Sequence, residues 1–540
     1  MSRRSTTPYL SSRGARHARC HATEAEEKSN SKYYITTPIY YVNDKPHIGH
    51  AYTTVACDIL ARYRRLSGDD VLFVTGTDEH GQKVQKSAEK NGVTPIEFSN
   101  EVSADFRSLA DELQCSHDVF IRTTEDRHKT AAQALWNKLE ENGQIYLGSY
   151  EGWYSVRDET YYRESELVDG KAPTGAEVEW VVKEPSYFFK LSEWTEPLLE
   201  FYDNHPDFIQ PPGKRNEVVN FVKQGLQDLS ISRTTFDWGV PVPSDDTGKH
   251  VMYVWIDALT NYLTAAGYPS NDMPYWPPSM HVMGKDILRF HAVYWPALLL
   301  AAGIEPPKAV FAHGWWMRDG QKMSKSIGNV INPRDLLETY GVDQTRYFLA
   351  SSVSFGDDGD YSDEMMLTAC NGVLANGLGN LAQRSLSLVF KNCEKRIPEA
   401  PPAEALTDED KALLQAAAEL PSKVDEVLDA NQQLHNYCRT VHFFVKSANV
   451  YIDQQEPWAL KKTDPERMKV VLWVVLEVVR KASILLQPVM PNAMEKMLDQ
   501  LGVPADRRMF ADILESPLSA NEISKPVAVF PRVEAPAQAA

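Results

Sequence analysis

An apolar run, a helix-length stretch and a second apolar run succeed one another within the first eighty residues, and nothing else in the chain restricts its fold as much. Residues 33–37, Tyr-Tyr-Ile-Thr-Thr, are aromatic and β-branched and read as a buried strand. Pro38 and then Asn43-Asp44-Lys45-Pro46 break it into a loop. From Ile48 to about Leu66 the residues Val55, Ile59, Tyr63 and Leu66 recur at helical spacing, and Gly68 stands just past the end. Val71-Leu72-Phe73-Val74 supplies the next strand. Strand, helix, strand in this order is the crossover unit of a parallel sheet, whose ligands gather beyond the strand C-termini.

His47 and His50 lie three apart where that helix begins, a spacing that puts both imidazoles on one face. Gly49 between them has no Cβ, which leaves the backbone open to a flat ring or a ribose. A helix N-terminus offers unpaired N–H groups and partial positive charge, a setting for phosphate. By themselves two loop histidines are more often a hydrogen-bonded surface pair. A second phosphate-type stretch changes the balance. Residues 318–329 read Arg-Asp-Gly-Gln-Lys-Met-Ser-Lys-Ser-Ile-Gly-Asn, with Lys322 and Lys325 among Ser324 and Ser326 and with Gly320 and Gly328 at the flanks. Glycines make such a loop mobile, and lysine ammonium groups can close over a polyphosphate. Taken alone, such a stretch is more readily a solvated basic turn. Asp78, at the end of the second strand, faces the same crevice, where it can hold an α-ammonium group or cap the following helix.

The 540 residues provide for two to four domains. A net charge of −18 argues against general coating of nucleic acid, although a local basic groove on an acidic body remains open. The six cysteines are scattered without a C-x-x-C pair, which gives neither a disulfide framework nor a zinc site. No stretch of 18 apolar residues occurs, so no membrane span is expected. The first 28 residues differ in kind: Arg3, Arg4, Arg13, Arg16 and Arg19 stand among Ser and Thr with no acid before Glu24. This is the composition of a transit peptide, and it predicts a mitochondrial or chloroplast location; the other reading is a disordered basic tail.

Further along, helices are expected over 94–112 and 127–142, and short aromatic strands alternate with turns between about 148 and 240. The parallel sheet is expected to resume at Val251-Met252-Tyr253-Val254, then at 281–283 and 310–313. From about 361 the chain turns helical, over 367–389, 408–419, 431–452 and 465–486, with Thr407 and Asp410 as a capping pair and a frayed tail after 517. The expected division is a transit segment 1–28, a catalytic domain in two halves 29–147 and 241–360, an inserted domain 148–240, a helical domain 361–516 and a flexible tail 517–540.

The tetrapeptide His-Ile-Gly-His at 47–50, paired with Lys-Met-Ser-Lys-Ser at 322–326, resembles the class I aminoacyl-tRNA synthetases. ITTPIYYVNDKPHIGHAYTT, VTGTDEHGQK, YVWIDALTNY, MGKDILRFH and GQKMSKSIGN together resemble the methionyl-tRNA synthetase family of the bacterial and organellar kind, specifically so from Lys32 to about Arg384. The resemblance implies an α/β fold: a Rossmann-like parallel-sheet catalytic domain, an inserted β-rich connective domain and a C-terminal α-helical bundle. It implies ligation of methionine to tRNA(Met) through a methionyl-adenylate, with ATP as substrate and Mg²⁺. Catalysis falls to His47, His50, Lys322 and Lys325, and nucleotide contacts to Gly49, Gly284, Asp286, Ser324 and Ser326. Asp78 holds the amino group; Ile39, Tyr41, Trp255, Ala258, Leu259, Tyr262, Ile287 and His291 surround the side chain, and Arg233 assists.

In this family the insertion often binds zinc through cysteine pairs. Here the matching places read Ser155-Val156-Arg157-Asp158 and Ala172-Pro173-Thr174-Gly175, so no structural zinc is expected. Asn376, Asn380 and Arg384, four apart, and Trp458 are the implied anticodon contacts; polar helix surface and a buried tryptophan are the plainer reading. The chain stops about 50 residues after Met490 without an appended dimerising module, so a monomer is expected. Two other classes remain: a plain nucleotidyltransferase, which has no use for some 180 helical residues, and an inactive RNA-binding scaffold, which has no use for both phosphate elements.

Overall fold

Helices return the chain across both faces of a central sheet, so its strands all run the same way. The computed structural model describes residues 31–534 apart from 44, 156, 158, 159, 163 and 324–327. The chain lays down β1 (Lys32–Thr36), β2 (Tyr40–Tyr41), helix α1 (Ile48–Leu66), β3 (Asp70–Asp78), helices α2 (Gln82–Asn91) and α3 (Pro95–Glu112), β4 (Val119–Arg122) and helix α4 (Asp126–Glu141). An antiparallel excursion follows, with β5 (Ile145–Ser155), β6 (Thr160–Tyr162) and β7 (Glu179–Phe189). Next come β8 (Ile209–Gln210), β9 (Leu229–Ser230), β10 (Ser232–Arg233), β11 (Val251–Met252), helix α5 (Val254–Ala266), β12 (Met280–Gly284) and β13 (Val310–His313).

The sheet order is β2-β3-β1-β12-β13-β8, with β4 on the far side of β3, and every pairing is parallel. Both faces are covered, so successive residues feed different cores. Ile35, Phe73, Val282 and Phe311 pack toward α1 and the C-terminal helices. Met283, Val310 and Ala312 pack toward α5 and Trp295.

Two expectations about this sheet fail. Val251–Met252 pairs antiparallel with β10 rather than joining the parallel sheet, because Tyr253 already caps α5. The sheet's edge is instead β8, two residues long and too short to leave a period in the sequence. The insertion closes as a four-stranded antiparallel sheet, β6-β5-β7-β9, in which the expected runs 178–182 and 187–189 are one strand. Between the two stretches expected to lack a zinc site, Arg157 donates to the Thr174 carbonyl at 2.6 Å, and Tyr162, Ala172 and Ala176 form a small buried cluster.

Beyond β13, strands β14 (Trp316–Arg318), β15 (Gln321–Lys322) and β16 (Gly359–Tyr361) make a small sheet. Helix α6 (Val342–Ser351) then leads into the helical region, with α7 (Asn380–Asn392), α8 (Asp408–Asn431), α9 (Leu434–Gln455) and α10 (Pro465–Leu486). The helix expected over 367–389 is split by a π-helical segment, Thr368–Gly379. The one expected to stop before Pro421 continues to Asn431, since Leu420, Val424 and Leu428 are buried on one face. Thr407 and Asp410 do form the capping box. The stretch after 517, expected to fray, is docked as far as 534: Leu518, Ile523 and Phe530 are buried, and Val533 exchanges two hydrogen bonds with Asn371. Among the described residues no helix is long and apolar enough to cross a membrane.

A buried guanidinium helps fasten the sheet domain to the helical region. Arg346, on α6, bonds Asp58 Oδ2 at 2.7 Å and the carbonyls of Leu113, Pro488 and Val489. Burial raises the Asp58 carboxyl, but Arg346, Arg62 and the Ser116 donors outweigh it and hold the group below its ordinary pKa. Truncating one partner strands the other charge in the interior. Arg346→Met should therefore cost about 3–5 kcal/mol in urea unfolding, with part restored in Asp58→Asn/Arg346→Met. Equal midpoints for the single variant and wild type would contradict this.

Candidate active site

A crevice opens at the carboxyl ends of β1 and β12, where the chain continues in opposite directions across the sheet. The loop after β1 ends in His47, which caps α1. Its Nδ1 accepts the Gly49 N–H at 3.1 Å, and the His47 N–H is in turn accepted by His50 Nδ1 at 3.1 Å. The rings lie 3.9 Å apart. Burial lowers the pKa of both imidazoles, for His50 strongly, and repulsion from His47 adds to it there. Each ring is thus neutral at pH 7, accepts with Nδ1 and carries its proton on Nε2, so the pair presents N–H donors rather than cations. The space expected to be open at Gly49 is filled: a Cβ there would meet His47 Cε1 at 2.9 Å. Glycine is needed because the cap folds back on the chain.

Across the crevice, Gly284 ends β12 and lets Asp286 turn back over it, where a Cβ would meet Oδ1 at 2.7 Å. Asp286 lies close enough to His47 and His313 to oppose the lowering of their pKa values. Its Oδ1 accepts from Trp315 Nε1 at 3.1 Å. Lys322 Nζ stands 3.6 Å over the Trp315 ring, so the first lysine of the second motif reaches the same crevice through one indole. The backbone makes a second joint, Ile48 N–H to Ile331 O at 3.2 Å. Gly320 is no hinge: Asp319 and Gly320 both take positive φ (54° and 71°) as the two central residues of the tight β14–β15 turn. Lys325, Ser324 and Ser326 lie outside the described residues.

Beside the crevice, Tyr262 Oη and His291 Nε2 are 2.7 Å apart, and His291 Nδ1 is 3.0 Å from the Ile287 carbonyl. Burial pushes the His291 pKa down to about 4, against the opposing pull of that carbonyl and Asp286. The ring is therefore neutral, donates from Nδ1 and accepts the phenol proton. Ala258, Leu259 and Tyr262 are buried on α5, and Ile39, Tyr41, Trp255 and Ile287 are half-buried around them. Asp78 closes β3 beside Tyr41. It does not cap the next helix, which starts at Gln82 behind Gly81.

Several neighbours escaped the sequence. Phe290 stacks on Trp255 at 3.7 Å from within a π-helical turn, Phe290–Tyr294, that no residue pattern announces. Trp315 had a signal, a tryptophan pair directly before the lysine stretch. Asp257, fully buried on α5, bonds His80 Nδ1 at 2.6 Å and His128 Nε2 at 2.7 Å and so pins the loop after Asp78 to α5 and α4. A carboxylate in an otherwise apolar helix was the available hint. Arg233 is buried on β10 against Tyr253, 4.5 Å from its ring, and lines a cavity shared with Arg289 and Glu166. Among the described residues no three His, Cys, Asp or Glu side chains gather to hold a metal.

At the far end of the helical region, Arg384 Nη1 bonds Asp453 at 2.8 Å and its guanidinium stands 5.8 Å from the Trp458 ring, which is exposed rather than buried. Asn376 and Asn380 are exposed; Asn376 accepts from Arg532 at 2.7 Å.

Residues 33–179 and 166–386 match the family described as tRNA synthetases class I (M), and 400–535 match the anticodon binding domain of methionyl tRNA ligase. Methionine–tRNA ligase of Rickettsia bellii is 53% identical over 94% of this chain and 100% of its own length. That of Brucella suis is 54% identical with the same coverage. A structure of Mycobacterium tuberculosis methionyl-tRNA synthetase in complex with methionyl-adenylate superimposes with a TM-score of 0.89 at 48% identity, covering 93% of this chain and 100% of that one. These relatives are bacterial, as is that of Rhizobium meliloti, and they overturn the mitochondrial or chloroplast location expected from the arginine-rich start; the similarity points to a bacterial enzyme. Residues 1–28 themselves lie outside the described ones.

His47, His50, His281, His291 and His313 all have pKa values lowered first by burial. Below pH 6.5 the folded chain therefore binds fewer protons than the unfolded one. Stability is fully present above about pH 6.5 and is lost as pH falls toward 4. For His291 the drop from 6.5 to about 4 corresponds to ~3 kcal/mol. Thermal melts of wild type and His291→Gln should diverge by that order between pH 6.5 and 4, with wild type losing more; parallel curves would refute the assignment.

Proposed function

The chain belongs to the methionyl class I tRNA synthetases, and on that premise we propose how its own residues activate methionine and charge tRNA. A methionine carboxylate oxygen attacks the α-phosphorus of ATP, the bond to the β-phosphate breaks and pyrophosphate leaves. A ribose hydroxyl of the terminal adenosine of tRNA(Met) then attacks the acyl carbon of methionyl-adenylate, and AMP leaves. Little covalent work falls to the protein, so rate comes from alignment and from charge stabilisation at the phosphates.

His47 and His50 donate from Nε2 to phosphate oxygens, and Lys322 and Lys325 close over them as cations, with Ser324 and Ser326 beside. Gly284 and Asp286 meet the adenosine, and Gly49 keeps the cap tight beneath it. Asp78 takes the α-ammonium group, with Arg233 in support behind α5. The socket of Ile39, Tyr41, Trp255, Ala258, Leu259, Tyr262, Ile287 and His291 receives the thioether, for which aromatic walls are suited. Tyr262 and His291 bond one another, so neither needs a polar partner from the substrate. One methylene is worth only about 1–3 kcal/mol in such a pocket, so norleucine and homocysteine are activated weakly. Mg²⁺ would be held by the nucleotide's phosphate oxygens, where it would offset the charge that Lys322 and Lys325 also meet. A single chain supplies every part.

The observation that carries this reading is that Lys322 lies over Trp315 and Trp315 bonds Asp286, whose charge acts on His47, which supports one triphosphate gripped from both sides. ATP–pyrophosphate exchange across all twenty amino acids tests it. Methionine should drive exchange, and Lys322→Ala should lower the rate on the order of 10²–10³. Exchange driven by leucine, valine or cysteine instead would overturn the substrate.

Arg384 and Trp458, with Asn376 and Asn380, are proposed to read the anticodon, the tryptophan by stacking on an unpaired base. Trp458→Ala should raise KM for tRNA by about 10–100-fold, the range of ~1–3 kcal/mol, while exchange is unchanged. Unaltered charging at low tRNA would remove this assignment.

A further inference from the structure

Helix α9 is a rod of 22 residues, about 33 Å long at 1.5 Å per residue. Its one acid is Asp453, near the end, in a chain with 74 acids to 56 bases. Its neighbour α8 carries acids instead, among them Asp408, Glu409, Glu419 and Glu426. Charge is thus segregated between two adjacent helices. The outward face of α9 shows Arg439, Phe443, Lys446 and Val450. Phe443 and Val450 are 53% and 50% exposed, and the Arg439 guanidinium lies 5.7 Å from the Phe443 ring. Among the described residues neither Arg439 nor Lys446 is in an ion pair.

Arg439, Lys446 and Asp453 are spaced by seven and share this face. Asp453 holds Arg384, which faces Trp458. At the opposite end, Gln433 donates to the Phe355 carbonyl, and Phe355, itself buried, stacks against His313 at 6.1 Å. The face is therefore continuous through Asp453 with the residues proposed for the anticodon, while the start of the helix rests on the sheet domain.

We propose that the outward face of α9 is the track on which the tRNA backbone lies between its anticodon and acceptor ends. Arg439 and Lys446, about 10 Å apart along the helix, neutralise phosphates, and Phe443 packs on a ribose or an unstacked base. Such contacts position the tRNA without reading its sequence. The inference rests on tRNA being the second substrate, as proposed above.

The test is aminoacylation of a methionine-accepting tRNA transcript by Arg439→Glu/Lys446→Glu and by the milder Arg439→Gln/Lys446→Gln. The expected result is a KM for tRNA raised at least tenfold by charge reversal and less by neutralisation. The slope of log KM against log salt should flatten by about 1–2, as two phosphate contacts are lost at ~0.7–0.9 each. Methionine-driven exchange reads the crevice alone and should not move, which separates this inference from the assigned activity. A KM and a salt slope equal to wild type in both variants, with exchange intact, would overturn the track. Loss of methionine-driven exchange in wild type would instead remove the premise.

Discussion

Helix α1 is gripped at successive heights by groups that arrive from all along the chain. Its first N–H is accepted by the Ile331 carbonyl, Asp58 at its middle accepts from Arg346, Tyr63 donates to Asp425, and the Leu66 carbonyl accepts from Phe510. One helix of about 28 Å thus joins the His47 end of the crevice to the base of the helical region. A peptide group or carboxylate buried without its partner costs free energy comparable to a sizeable part of a domain's net stability, so each joint fixes position as well as energy. The crevice and the helical region are held in register because this rod does not slide.

The crevice follows a different electrostatic logic from the surface. Imidazoles inside it are neutral and acquire direction from hydrogen bonds, His47 and His50 from backbone N–H groups and His291 from a carbonyl and a phenol. A neutral donor of fixed orientation needs no reorganisation when charge grows on a phosphate, whereas a buried cation would have to be desolvated beforehand. A cation stands at the rim instead, on the exposed Lys322 over the Trp315 ring.

Among the described residues, two π-helical segments adjoin residues of the candidate sites. Phe290–Tyr294 puts Phe290 on Trp255 while His291 still reaches Tyr262, and Thr368–Gly379 sets Asn376 near Arg532 just before α7 carries Arg384. A wider turn is less stable than an α turn and commonly accompanies functional sites.

What the amino-acid order settled by itself was whatever depends on local periodicity and local chemistry. The limits of α1 and α10, the Thr407–Asp410 cap and the strands at 281–283 and 310–313 lie where spacing and capping residues put them, because a helix or strand of that length declares its buried face. The two motifs stood out in the sequence by residue type and spacing, two histidines three apart at a helix start and two lysines among glycines and serines. The fold as a whole had to decide the rest: that β8 rather than 251–254 edges the sheet, that Gly49 is filled by its own cap, and that the tail after 517 docks. It also decided that Trp315, Asp257 and Phe290 complete the site. Each of these depends on a partner tens to hundreds of positions away, and a contact between distant residues leaves no period in the sequence on either side of it.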